Sequence, residues 1–162
     1  MQPDPNLQLT VVIKALRDVV LPSLDSENAV ALEQLHLSLA TLEMVRSRLP
    51  MLHAVARREL KNAVTLARAV NDDAAVGSMI AAAVTLLEDP AAGTDAIDTL
   101  RAGLLDEVSK SVNRTVNRDQ RRTVARSVIA ASKAQCDLAR AWSVPSGFER
   151  DPEELQELTS LI

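Results

Sequence analysis

Glycine is nearly absent where loops would need it. The chain has four glycines in 162 residues, with none in 1–76 and none in 104–146. Tight reversals with left-handed backbone depend on glycine, so these stretches leave little room for them. Aromatic side chains are equally scarce. Trp142 and Phe148 stand alone and there is no tyrosine. The core must therefore be aliphatic, and base stacking, the usual hold on single-stranded nucleic acid, has almost nothing to use. Cys136 is the only cysteine. It excludes an intrachain disulfide and any C-x-x-C motif, and it suits a reducing, cytoplasmic setting. The start, Met1-Gln2-Pro3-Asp4-Pro5, lacks the basic and apolar regions of a signal peptide. The longest uncharged run, Ala74 to Leu87, is shorter than the roughly 20 residues a membrane span needs. A net charge of -4 does not suggest a nucleic-acid binder. No glycine-rich phosphate loop and no G-x-S-x-G elbow occurs.

What is present is helical periodicity in Leu, Val, Ile, Ala and Met. Hydrophobic residues make up 47% of the chain, enough for one domain of this length to bury a core without metal or disulfide. After an irregular start over 1–6, a first helix is expected from Leu7 to Leu21, ended by Pro22. Asp25 or Ser26 can cap the next helix. There Leu32, Leu35, Leu39, Leu42 and Leu49 follow at spacings typical of a bundle seam. Pro50 interrupts the pattern, which resumes at once through Leu52, Val55, Leu60, Ala63, Leu66 and Val70. A long helix kinked at Pro50 is expected, because proline removes a donor and crowds the preceding turn. Ala74 to Leu87 forms a further helix. Its Gly77 and Ala81, one turn apart, predict close approach of a neighbouring backbone. Asp89 to Gly93 is a loop, and Thr94 is a candidate N-cap. An unbroken helix from 95 to 143 would be about 70 Å long, so a break is expected within Asn113–Asp119. A loop over 144–151 and a short terminal helix over 152–161, started by Asp151-Pro152-Glu153-Glu154, complete the chain. The expectation is a single all-α domain, a helical bundle of five to seven helices with an aliphatic core.

Two constellations carry possible chemistry. Glu33-x-x-His36 places a carboxylate and an imidazole on one helical face, with Glu43 nearby on the same stripe. Ferritin-like di-iron bundles use this spacing, but they need it twice, and His36 and His53 are the only histidines. The plainer reading is boundary side chains bonded to one another or to water. The second constellation is a basic ladder, Lys110, Arg114, Arg118, Arg122 and Arg126 at four-residue spacing, with Arg121 beside it. Arginine forks suit phosphate and carboxylate groups. The ladder is thus a candidate surface for an anionic small molecule or an acidic protein partner. The alternative is a solvated face paired with acids such as Asp98, Asp106 and Glu107. Cys136 reads as a packing residue rather than a nucleophile. Trp142 and Phe148 flank the Pro145–Gly147 turn and can pin the terminal segment.

Leu16-Arg17-Asp18-Val19-Val20-Leu21-Pro22-Ser23-Leu24, followed by Ala31-Leu32-Glu33-Gln34-Leu35, resembles uncharacterised bacterial helical-bundle proteins. Some of these are encoded near acyl-CoA dehydrogenase and aminoglycoside-phosphotransferase-like genes. The resemblance covers about the first third of the chain. It implies a bacterial accessory protein tied to acyl-thioester or other small-molecule catabolism, and no catalytic residue.

The sequence thus points to a helical accessory or interaction protein without a catalytic motif, assembled as a homodimer and requiring no cofactor. A bundle that binds an acyl or anionic, phosphorylated ligand is the alternative. A ferritin-like metal protein comes third. Nucleic-acid and membrane partners are not expected.

Overall fold

A computed structural model of the chain describes residues 4–70, 74–114, 118–147 and 149–162, with backbone alone at 74, 75, 114, 118 and 120. It is all-α, a helical bundle, with no strand among the described residues. Contacts gather in two compact units, residues 1–51 with 143–150 and residues 52–142 with 151–162.

In the first unit, α1 (Pro5–Ala15) runs through a π-turn (Leu16–Val20) into the short α2 (Leu21–Ser23). The helix begins earlier than the apolar pattern alone suggests. Asp4 caps it by accepting from the backbone N–H of Asn6 at 2.9 Å, and Pro5 sits at the start, where its missing N–H costs nothing. The π-turn precedes Pro22. A proline ring crowds the carbonyl four residues back. Widening the turn, so that the Leu21 N–H donates to the Leu16 carbonyl, accommodates it. Ser23 Oγ then donates to the Val19 carbonyl.

Helix α3 spans Ala29–Arg48. Its cap is Asn28, which accepts from Ala31 N–H at 3.1 Å, and not Asp25 or Ser26. Asp25 instead closes the preceding turn by accepting from Glu27 N–H at 3.0 Å. At Pro50 the helical run breaks into a 3-10 turn, Leu49–Met51. Leu49 N–H still donates to Val45, whereas Pro50 has no N–H to continue the ladder. Helices α1 and α3 pack together, burying Ile13 and Leu39.

In the second unit, α4 (Leu52–Val70), α5 (Ala74–Glu88) and α6 (Thr94–Arg114) pack pairwise. Ala56, Leu60, Ala63, Val64 and Ala67 recur every three or four residues on α4, so one stripe faces inward. Leu60, Val76, Ile97 and Leu104 are completely buried in this core. Close approach occurs at Gly103, not at Gly77. A Cβ on Gly103 would lie 3.0 Å from Met79 Cε, whereas Gly77 is exposed with open space around it. Gly77 and Ala81 therefore do not mark a packing seam, and both face solvent.

Helix α6 is described as far as Arg114 and α7 over Arg118–Ser143, and the break expected within Asn113–Asp119 falls on residues outside the described set. Val124, Leu138 and Ala141 are the buried side of α7. Beyond α7, a 3-10 turn (Val144–Ser146) closes on Gly147, whose φ of 77° lies in the left-handed region that glycine favours.

The continuous terminal helix expected over 152–161 is not formed. Pro152–Glu154 makes a 3-10 turn, Leu155 and Glu157 are extended, and only Leu158–Leu161 is helical, as α8. A ten-residue helix is marginal in itself. Burial of Leu158 decides the path instead.

Candidate functional site

The first unit leaves much apolar surface uncovered. Eight of the eleven large hydrophobic side chains exposed among the described residues belong to it: Leu7, Val11, Val12, Val19, Val20, Val30, Leu37 and Val45. Val30 is 70% exposed and Val19 63%. Helix α1 is apolar around most of its circumference, yet only Ile13 is buried. The seam between the two helices is partly polar. Arg17 pairs with Glu43, and Arg46 Nη1 donates to Thr10 Oγ1 at 3.3 Å.

That pairing bears on the metal candidates. Glu43 is engaged by Arg17, while Glu33 and His36 are exposed. Among the described residues no three His, Cys, Asp or Glu side chains come together as a metal-ligating group. The other histidine, His53, is in the second unit, with Nδ1 3.4 Å from the Thr94 hydroxyl. Thr94 thus opens α6 and faces α4.

Only part of the basic ladder has described side chains. Lys110, on α6, is 2.7 Å from Asp106 and 2.8 Å from Glu107. Hydrogen bonds to Asp106 and then Glu107 hold its ammonium above the ordinary lysine range. Arg121, Arg122 and Arg126 lie on the exposed side of α7, and Arg121 interacts with neighbouring groups. The side chains of Arg114 and Arg118 lie outside the described residues. Cys136 is exposed on α7, a free thiol rather than a core side chain. Trp142 is half-buried at the end of the same helix, and Phe148 is outside the described residues.

A different set of polar residues converges inside the second unit. Glu59 on α4 accepts from two helices. Arg101 Nη1 on α6 lies 2.9 Å from its Oε2, and Gln135 Nε2 on α7 donates to its Oε1 at 2.6 Å. Asn62 sits about one turn along α4 from Glu59. Its Nδ2 is covered and has no hydrogen-bond partner. Arg101 Nε is likewise covered and unbonded. Asp98 Oδ1, 3.5 Å away, is at ion-pair distance without forming a hydrogen bond. Two adjoining cavities lie against this cluster, about 230 Å³ and 250 Å³ in volume. They share Asn62, Leu66 and Ala131. The first reaches Arg101 and Gln135, and the second runs along Ala69, Ala130 and Ala134. Arg122 and Arg126 line neither.

No protein-family model, curated protein or solved structure matches this chain. The residues themselves must therefore carry the functional argument. Sequence reasoning missed the Glu59–Arg101–Gln135 cluster, because its members are spread over three helices. The one available signal was polar side chains within otherwise apolar stripes. Among the described residues, no helix is long and apolar enough to cross a membrane.

Proposed function

We propose that the chain is a non-catalytic helical interaction protein that assembles as a homodimer through the α1–α3 helix pair. The observation that carries this reading is the apolar surface of that pair. A helix apolar over most of its circumference is stable in water only when neighbours cover more than one side of it. Two helices can cover only one side of each other. Leu7, Val11, Val30 and Leu37 are left facing outward. Exposed apolar side chains concentrated in one part of a chain mark an interaction surface. A second copy is the simplest cover. Two such helix pairs related by a two-fold axis make a four-helix arrangement, and two-fold homodimers are the commonest assemblies.

An accessory role in a bacterial cytoplasm accords with this reading. The single exposed thiol, Cys136, suits a reducing compartment. The resemblance at Leu16–Leu24 points to the same setting.

Sedimentation velocity at micromolar concentrations tests the assembly. The wild type should sediment at twice the 17.5 kDa chain mass. The double variant Val11→Glu, Leu37→Glu should sediment as a monomer with its helical circular dichroism retained. A monomeric wild type at tens of micromolar would overturn the proposal, as would a variant that remains dimeric.

A further inference from the structure

We infer that the cleft between α1 and α3 binds a small molecule carrying a single carboxylate. The cleft has a volume of about 290 Å³. Lys14 lines it from α1, Arg17 and Asp18 from the π-turn, and Glu43 and Arg46 from α3. All of these belong to one compact unit. A π-turn departs from regular helix geometry and is often found at functional sites.

How these charges pair decides what the cleft lacks. Arg17 takes Glu43 from across the helix pair. Glu43 is three residues before Arg46 on α3, where it would otherwise be that arginine's own counter-ion. Arg46 is left with one hydrogen bond, from Nη1 to the Thr10 hydroxyl at 3.3 Å. That hydroxyl is neutral, and its own proton is donated to the Asn6 carbonyl. Arg46 is half-buried and pairs with no carboxylate among the described residues. Lys14 has no hydrogen bond or ion pair among them. A partly buried charge without a counter-ion is unfavourable, and a second free cation beside it adds to the pull on an anion.

Charge and shape select the anion. Three cations face two acids, so one positive charge is left over. A monoanion balances it, whereas a phosphate dianion exceeds it and is repelled by Asp18 and Glu43. A carboxylate also matches the planar fork of Arg46. Ile13 is buried at the helix seam and lines the same cleft, so it offers an apolar surface to the body of the ligand. Ligand clefts typically run from about 300 to 1,000 Å³, so this one holds a short chain. The site is separate from the arginine ladder, and it does not depend on dimerisation.

Amide NMR titrations of the full chain at constant ionic strength test this with three probes: butyrate, butyramide and inorganic phosphate as the dianion. Butyrate should give saturable shifts confined to the cleft residues of α1, the π-turn and α3. Butyramide and phosphate should bind more weakly. Arg46→Gln removes the charge and should weaken butyrate about fivefold or more, a charge-assisted hydrogen bond discounted for solvent exposure. Glu43→Gln frees Arg17 and should instead strengthen butyrate about threefold, which a merely structural role for Glu43 would not do. Helical circular dichroism checks that both variants fold. No saturation up to about 50 mM butyrate would overturn the inference. So would undiminished binding by Arg46→Gln, weaker binding by a folded Glu43→Gln variant, or butyramide binding as tightly as butyrate. Phosphate binding more tightly than butyrate would overturn the choice of a carboxylate.

Discussion

Replacing Arg57 with methionine should destabilise the second unit by about 2 kcal/mol. The last carbonyls of a helix have no partners within it. At the end of α5, Arg57 reaches across from α4 to the Leu87 carbonyl of the last turn and to the Asp89 carbonyl just beyond the helix, which also accepts from Ala92 N–H. Its Nη1 donates to the Asp89 carbonyl at 2.9 Å, and its Nη2 donates to the Leu87 carbonyl. Hydrogen bonds from a charged donor contribute about 1.5–3 kcal/mol each, with the more exposed bond to Asp89 at the low end. A cation at a helix C-terminus adds about 0.5 kcal/mol through the helix dipole. Ordering a long arginine side chain offsets about 1.5–2 kcal/mol of this gain. Methionine keeps most of the aliphatic stem, so the change isolates the guanidinium.

Urea unfolding followed by Trp142 fluorescence reports on this unit, because Trp142 is the only tryptophan and lies within it. With a denaturant slope near 2 kcal/mol/M, the midpoint should fall by about 1 M. Arg57→Lys should recover roughly half of the loss, because an ammonium keeps the charge but lacks the planar fork that spans two carbonyls. A midpoint change below about 0.2 M for methionine would refute the reasoning. So would a lysine variant no better than methionine.

Leu60 is completely buried between α4 and its neighbours. Leu60→Ala should cost about 3–4 kcal/mol, from lost transfer energy plus the residual cavity, and calorimetry giving less than about 1.5 kcal/mol would show that the core collapses around the site. Gly77 is a helical glycine with open space where a Cβ would go. Gly77→Ala should therefore stabilise by about 0.5–1 kcal/mol. Gly103→Ala should gain less, because its methyl must displace Met79 Cε from 3.0 Å, and equal gains in thermal midpoint would contradict that contact.

Much of the helix layout is legible in the residues. Apolar side chains at three- and four-residue spacing mark α3, α4 and α6. Pro22 and Pro50 mark the interruptions, because proline cannot donate to the helix ladder at any position in any fold. The errors fall where local chemistry has more than one acceptable outcome. Asp25, Ser26 and Asn28 can all cap a helix, and only Asn28 does so. Gly77 and Gly103 look alike as letters, yet only Gly103 meets a neighbour. The terminal segment carries a sound helix start at Asp151-Pro152 but stops after one 3-10 turn, since burial of Leu158 outweighs local helix preference.

The candidate sites divide along the same line. The basic ladder is a pattern within neighbouring residues, so it can be read in the sequence. The Glu59–Arg101–Gln135 cluster is the opposite case. Glu59 and Gln135 are 76 residues apart and joined by a hydrogen bond. No periodicity links them, because their meeting depends on how three helices pack. What the sequence determined by itself was helix and aliphatic core, which follow from side-chain spacing, proline and the near absence of glycine and aromatics. What only the tertiary structure decided was which polar groups meet and which donors stay unsatisfied. Those depend on contacts between residues far apart in the chain, and local sequence does not encode such distances.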